Sequence, residues 1–139
     1  MAGNPSVYGC QIALDYLTGR ALDYASARTT YLALLTGNIA DDALMSAMPE
    51  VTTAGYARQA VTWGAPSNAR PSSAANSAVI TFGPVTADMP VPVTYAALVT
   101  VSTGTAGKII HKWLLDAPQQ PVNGQALQIA IGKLVLTAN

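Results

Sequence analysis

A succession of short apolar runs, each closed by a turn residue, most constrains the fold of this chain. From Thr29 onward the runs are rich in β-branched residues and end at glycine, proline or asparagine. Runs of this length are typical of strands joined by tight turns. Seven strands are predicted, over residues 29–36, 55–64, 77–82, 93–102, 108–115, 126–131 and 133–137. The sequence therefore predicts a mainly β fold, a single antiparallel β-sandwich.

One segment before the strands has helical periodicity. Its apolar residues recur at spacings of three, four and three: Val7, Cys10, Leu14 and Leu17. This spacing predicts a helix over residues 5–18, with Asn4 as the N-cap, Pro5 at the first helical position and Gly19 as the stop. We expect Val7, Leu14 and Leu17 to be buried, either against the sandwich or against a neighbouring copy. Cys10 lies on the same stripe and is predicted to be a buried structural cysteine.

The chain is predicted to be one domain over residues 1–139, with a helix and connector in 1–28 and the sandwich in 29–139. In the loop of residues 38–54, Asp41 is predicted to cap a short helical turn through Met45. Residues 65–76 are predicted to be a surface loop, and the prolines of 84–92 predict irregular structure. Gly132, between the last two runs, predicts a β-bulge.

Charge excludes several classes of protein. Seven basic residues balance seven acidic ones, and charged residues are 10% of the chain. Nucleic-acid binders and polybasic membrane-surface proteins carry a basic excess that this chain lacks, so neither nucleic acid nor membrane is an expected partner. The one cysteine excludes an internal disulfide, and the N-terminal residues do not resemble a secretion signal, so synthesis in a reducing cytoplasm is expected.

The residue inventory offers little for catalysis. His111 is the one histidine, no carboxylate follows it closely, and it is predicted to be a solvated or core-edge strand residue. Asp41, Asp42 and Glu50 do not have the spacing of a calcium loop. No phosphate-binding or nucleophile motif is present. We therefore predict no catalytic, cofactor-binding or metal-binding residue and no cofactor, which argues against a hydrolytic or carbohydrate-binding module.

Several segments resemble one family of virion proteins. These are residues 30–37, Glu50-Val51 with the motif of residues 55–67, residues 76–82, and an ending that contains Trp113, Val122-Asn123-Gly124 and Gly132. Together they resemble the small virion proteins of tailed bacteriophages that are labelled tail-fiber-like or capsid decoration proteins. The chain departs from that pattern in the loop Asp41–Met48 and in the proline-rich stretch 84–92.

The resemblance implies a non-enzymatic structural protein of a phage particle, made in the host bacterial cytoplasm. Because the sequence contains no coiled-coil or fibrous repeat, we expect a capsid decoration protein on the outside of the major capsid shell. Its partners would be the major capsid protein and neighbouring copies of itself. The alternative is a tail-associated fiber or tip subunit that binds a host surface receptor.

Docking is expected to use loops at one end of the sandwich. The residues predicted to contact the capsid or another partner are Val85, Met89, Val91, Val93 and Trp63. Trp63 is expected to be partly exposed, whereas Trp113 is expected to lie in the core. Because charges are few, the contact is predicted to depend weakly on salt.

Overall fold

The computed structural model describes residues 2–19 and 28–138, and strands dominate that part of the chain. Nine strands, one helix and one 3₁₀ turn are present within it. The strands are β1 (Ala2–Pro5), β2 (Thr30–Leu35), β3 (Gln59–Val61), β4 (Ser72–Ala75), β5 (Ile80–Phe82), β6 (Val93–Val99), β7 (Ile109–Gln119), β8 (Leu127–Ile129) and β9 (Val135–Ala138). Helix α1 spans Val7–Thr18 and the 3₁₀ turn spans Met45–Ala47.

The strands form one large sheet and two small ones, and every pairing is antiparallel. The large sheet has the order β1-β7-β6-β2-β3, and β4 pairs with β9 and β5 with β8. The mainly β, antiparallel class with an N-terminal helix is confirmed. The described strands number nine, against a predicted count of about seven.

Both faces of the large sheet are covered. Leu32 and Leu34 of β2 and Trp113 of β7 face one core, which is closed by Phe82 of β5 and Leu127 of β8. This core lies between the large sheet and the small ones, as in a sandwich. Trp113 is fully buried, as predicted, and its indole Nε1 donates a 2.8 Å hydrogen bond to the carbonyl of Val135.

The second face is covered by the loop of residues 36–48. Leu35 of β2 and Val99 of β6 pack there with Ile39 and Met45 of that loop. This explains why Leu32 to Leu35 are all buried, as the unbroken apolar run predicted. The loop is therefore the second layer of the fold. Asp41 does not cap the 3₁₀ turn, whose N-cap is Leu44 without a side-chain hydrogen bond.

Several predicted elements differ in extent or kind. The predicted strand 55–64 shrinks to β3, and β4 forms inside the predicted surface loop 65–76. Gly132 lies in a turn, because β8 and β9 belong to different sheets and the chain must cross between them. The register shifts occur in the β6–β7 pairing instead, between Val93 and Tyr95 and between Leu98 and Val99 of β6, and the extra residues lie on β7.

The buried side chain of Asn76 is hydrogen-bonded to the chain between β8 and β9. Its Nδ2 donates to the carbonyls of Ala78 (2.8 Å) and Ala130 (3.1 Å), and its Oδ1 accepts from the amide of Leu134 (2.9 Å). Its backbone N–H donates to the carbonyl of Leu134. One side chain thus binds three backbone groups, two of which, Ala130 and Leu134, lie between β8 and β9.

The N-terminal segment enters the sheet before it becomes a helix. Asn4 and Pro5 lie in β1, at the edge of the sheet beside β7, so the predicted cap at Asn4 was wrong. The N-cap is Ser6, whose Oγ accepts a hydrogen bond from the amide of Gly9 at 3.0 Å. The left-handed stop at Gly19 is confirmed, with a φ of 69°.

The first turn of α1 is fastened to β7. The Ser6 amide donates to the carbonyl of Ile110 at 2.9 Å, and its hydroxyl donates to the carbonyls of Ile109 and Ile110. Gly9 is the one fully buried residue of the helix, and a Cβ there would lie 2.3 Å from the Ile110 carbonyl oxygen. Backbone therefore meets backbone at this point, and only glycine permits the approach.

Substituting Gly9 by alanine tests this close approach, because packing and helix propensity predict opposite changes in the free energy of unfolding. Propensity alone would make Gly9→Ala stabilising by about 1 kcal/mol. The contact with Ile110 predicts instead a free energy of unfolding lower by about 1–3 kcal/mol, the usual range for overpacking. Denaturant unfolding measures it. Gly37→Ala is the matched control, because its Cβ would meet only Pro49 Cγ at an ordinary 3.7 Å. A stabilised Gly9→Ala would mean that the turn is not pressed against β7.

Candidate interaction surface

Helix α1 turns its apolar stripe away from its own domain. Val7, Leu14 and Leu17 expose 47%, 60% and 78% of their surfaces, and Cys10 is exposed as well. At 100° per residue the four positions span an arc of about 80°. The more covered residues, Tyr8, Gly9, Ile12 and Asp15, centre about 180° from them.

The burial predicted for this stripe against the sandwich was therefore wrong, and so was the buried cysteine. The spacing correctly marks one face of a helix, but it does not say which way that face points. The direction is set by Ser6 and Gly9, whose contacts with β7 turn the opposite face inward. Tyr16 is 75% exposed although it lies on the inward side, so the last turn of α1 projects past the edge of the domain.

The loop of residues 36–48 borders the base of the helix. The amide of Val7 donates to the carbonyl of Asp41 at 3.0 Å. The Asp41 carboxylate accepts from Lys112 Nζ at 2.9 Å and from the side chain of Asn4 at 3.3 Å. The hydrogen bond and charge of Lys112 lower the pKa of Asp41. A shallow groove lies between the helix base and this loop. Val7, Gln11 and Leu44 are among the residues that line it, and Leu44 is exposed there.

Most of the predicted contact residues in the loop 84–92 lie inside the fold. Val85, Met89 and Val93 are buried in the main core, so they have almost no surface to offer a partner. The irregular backbone of this segment was predicted correctly. Its apolar side chains, however, point into the main core and help to fill it. Val91 differs, with about half of its surface exposed.

This loop is held firmly by the segment before β8. Val85 exchanges backbone hydrogen bonds with Gly124 and Gln125, at 2.8 and 2.9 Å. The amide of Met89 donates to Pro121 at 3.0 Å, and its carbonyl accepts from the Gln120 side chain at 2.9 Å. Val122, on that segment, is exposed like Val91. The two segments are thus joined by several hydrogen bonds and carry two exposed valines.

Trp63 is half-buried, as predicted. Its ring packs against the main core, and its Nε1 donates to Thr30 Oγ1 at 3.1 Å. Both the apolar body and the polar atom of this side chain thus have partners within the domain. The structure gives Trp63 a role in joining the chain after β3 to β2.

The most distinctive sequence motif forms a partly buried ion-pair cluster. Arg58 binds both carboxylate oxygens of Glu50, through Nε at 2.8 Å and a terminal nitrogen at 2.7 Å. The Tyr56 hydroxyl donates to Glu50 at 2.8 Å and accepts from the amide of Leu34 at 3.0 Å. A further Arg58 nitrogen donates to the carbonyl of Val101 at 3.1 Å. The Arg58 side chain is only 5% exposed.

The electrostatics of this cluster serve the fold. The hydrogen bond and charge of Glu50 raise the pKa of Arg58, and burial raises the pKa of Tyr56, so at neutral pH the guanidinium stays charged and the tyrosine hydroxyl keeps its proton. Sequence reasoning used these residues only as a family motif. The presence of one Glu, one Tyr and one Arg within nine residues was the available signal for such a cluster.

His111 and the acidic residues do not assemble a reactive site. His111 is 3% exposed, and its ring lies 4.4 Å from that of Trp113. The solvated interpretation of His111 was therefore wrong. Within residues 2–19 and 28–138, no three histidine, cysteine or acidic side chains converge as a metal site would require. In the same part of the chain, no helix has the length and apolar character needed to span a membrane.

The comparison with protein families identifies the class of protein. A family model described as Podophage GP4 fiber I protein gp80 matches residues 6–137. The chain belongs to this family, and the resemblance to tailed-phage virion proteins is confirmed. It is thus a phage structural protein with a mainly β fold. No curated protein matches the chain.

Breaking the Glu50 cluster should destabilise the protein strongly. Glu50→Gln leaves Arg58 buried with an uncompensated charge, which typically costs about 3–5 kcal/mol. For a domain of this size that loss lowers the melting temperature by roughly 10 °C. Thermal unfolding followed by circular dichroism measures it. Asp41→Asn is the control and should shift the melting temperature far less, because the Asp41 side chain is 61% exposed and Lys112 keeps a hydrogen bond to the carbonyl of Ile39. Equal shifts in the two variants would contradict the structural role of the cluster.

Acid should destabilise the protein through His111. Burial lowers the pKa of His111 to about 4, against the ordinary 6.5 expected in the unfolded chain. Between these values the unfolded state binds a proton that the folded state does not, so the free energy of unfolding falls as the pH falls. The full loss is about 3 kcal/mol. Denaturant unfolding at several pH values should give His111→Gln a shallower decline than the wild type from pH 6.5 to 4. Identical slopes would show that the imidazole is not buried in its neutral form.

Proposed function

We propose that this protein is a non-enzymatic structural subunit of a fiber on a tailed-phage particle. The family description, which names a fiber protein of a podophage, carries the proposal. The apolar helix that faces away from its own domain supports it, because an assembling subunit needs an uncovered apolar surface. The expected capsid decoration role thus becomes the second candidate.

The arrangement of the ionisable side chains supports a role without catalysis. His111 is shielded from substrates by burial against Trp113. Glu50 forms an ion pair with Arg58, and Asp41 forms one with Lys112. A general acid or base must lie within hydrogen-bond reach of a bound substrate, and these groups are committed to the fold.

Capsid decoration has one specific observation in its favour. The hydrogen-bonded segments 84–92 and 120–125 present Val91 and Val122 on the surface of the domain. A preorganised apolar surface of this kind loses little entropy on docking to the major capsid protein, and its contact would resist salt. Because the exposed area is small, such a contact would depend on neighbouring copies for strength.

Phage particles that lack this protein distinguish the two roles. If the protein is a fiber subunit, such particles should adsorb poorly to host cells while their capsids keep the heat stability of the wild type. Complementation with the wild-type gene should restore adsorption. Normal adsorption combined with capsids that break open at lower temperature would contradict the fiber role and favour decoration. Particles unchanged in both properties would contradict both roles.

The position of the protein on intact particles can also be measured directly, by immunogold electron microscopy. Gold-labelled antibodies should mark the tail end of intact particles, with no label over the capsid shell. A uniform label over the shell, in many copies per particle, would contradict the fiber role. Particles without the gene product are the control for the antibody.

A further inference from the structure

We propose that α1 is a self-association helix, whose outward stripe packs in parallel against the same stripe of a second copy. The stripe consists of Val7, Cys10, Leu14 and Leu17. This inference goes beyond the proposed function, because it concerns the contact between copies and holds wherever on the particle they lie. Its test uses the isolated protein, so its failure and the failure of the fiber role are distinguishable.

The spacing of the stripe is self-complementary. Intervals of three, four and three residues are those of the core positions of a coiled coil, where each side chain enters a hole formed by residues of a facing helix. A second copy supplies a stripe of identical spacing. The surface available is also continuous, because all four residues are exposed in the single chain.

The charge of the helix fits an identical partner. Asp15 is the one charged residue of α1, and it lies on the inward side, away from the stripe. Two such stripes therefore meet without repulsion, whereas a charged surface on another protein would find no complement. The helix thus lacks the charge pattern with which a binding face selects a different partner.

The surroundings of the helix favour the parallel arrangement. At its base the stripe is bordered by Asp41, Asp42 and Lys108, which line the groove beside the first turn. An antiparallel partner would place its most exposed apolar residue, Leu17, against these charges. A parallel partner places Leu17 against Leu17 at the projecting tip and Val7 against Val7 at the base. Because the stripe faces outward, the two domains then lie on opposite sides of the helix pair.

The size of the stripe predicts a moderate affinity. The stripe consists of four exposed side chains, whereas a standard interface buries roughly 800 Å² on each partner with about 20–30 residues a side. The isolated protein should therefore show a monomer–oligomer equilibrium that depends on concentration.

Sedimentation velocity over a concentration series tests the contact. The wild type should shift from monomer to oligomer, and Leu14→Asp with Leu17→Asp should weaken association by at least about thirtyfold, the loss caused by removing one strong interface residue. Ile131→Asp is the matched control, because Ile131 and Leu14 are both 60% exposed. A wild type that stays monomeric throughout, or an oligomer that only Ile131→Asp dissolves, would overturn the proposal. Circular dichroism should show that both variants keep the wild-type fold.

Cysteine cross-linking tests the parallel register. With diamide as the oxidant, Cys10 of the wild type should form a disulfide-linked dimer, and so should the variant that combines Cys10→Ser with Leu17→Cys. The combination of Cys10→Ser with Thr103→Cys, on the exposed β6–β7 hairpin, is the control and should stay unlinked. An oligomer in which Cys10 links but the cysteine at position 17 does not would overturn the parallel arrangement. Linking at position 103 as fast as at position 10 would show collision instead of a defined contact.

Discussion

The orientation of α1 depends on one close approach, that of Gly9 to the carbonyl of Ile110. Together with the hydrogen bonds of Ser6, this contact presses the first helical turn against the backbone of β7. A helix fastened by its inward face must present the opposite face to its surroundings. Because that opposite face carries the apolar stripe, the contact inverts the usual amphipathic arrangement, in which a surface helix buries its apolar side.

Strand β7 is itself held by both cores of the domain. Its Trp113 is buried in the main core, and its Ile109 packs with Met45 in the cluster formed by the loop of residues 36–48. The same loop reaches the helix base through Asp41 and connects to β7 through Lys112. Just after that loop, Glu50 forms an ion pair with Arg58, and Arg58 also donates a hydrogen bond to the carbonyl of Val101. The loop of residues 36–48 is thus part of the structure that holds α1 in place.

The sequence predicted those features that depend on local pattern. The buried run of β2, the helix with its stop at Gly19 and the buried Trp113 follow from periodicity and turn chemistry. Features that depend on tertiary contacts were missed. Val85 and Met89 lie in a proline-rich loop and Val93 begins β6 directly after it, and only the packing of this segment over the core shows that all three are internal. Likewise, the stripe of α1 identifies a face, but its direction is fixed by Gly9, whose role depends on a strand about a hundred residues away.

A reconstruction of the assembled particle at side-chain resolution would reveal directly what covers the apolar stripe of α1. We expect an identical helix of a neighbouring copy to cover it. The reconstruction should show Val7, Cys10, Leu14 and Leu17 of one copy facing the same residues of a neighbouring copy, with the two domains on opposite sides. A stripe seated on a different protein, or folded back onto its own sheet, would contradict the account.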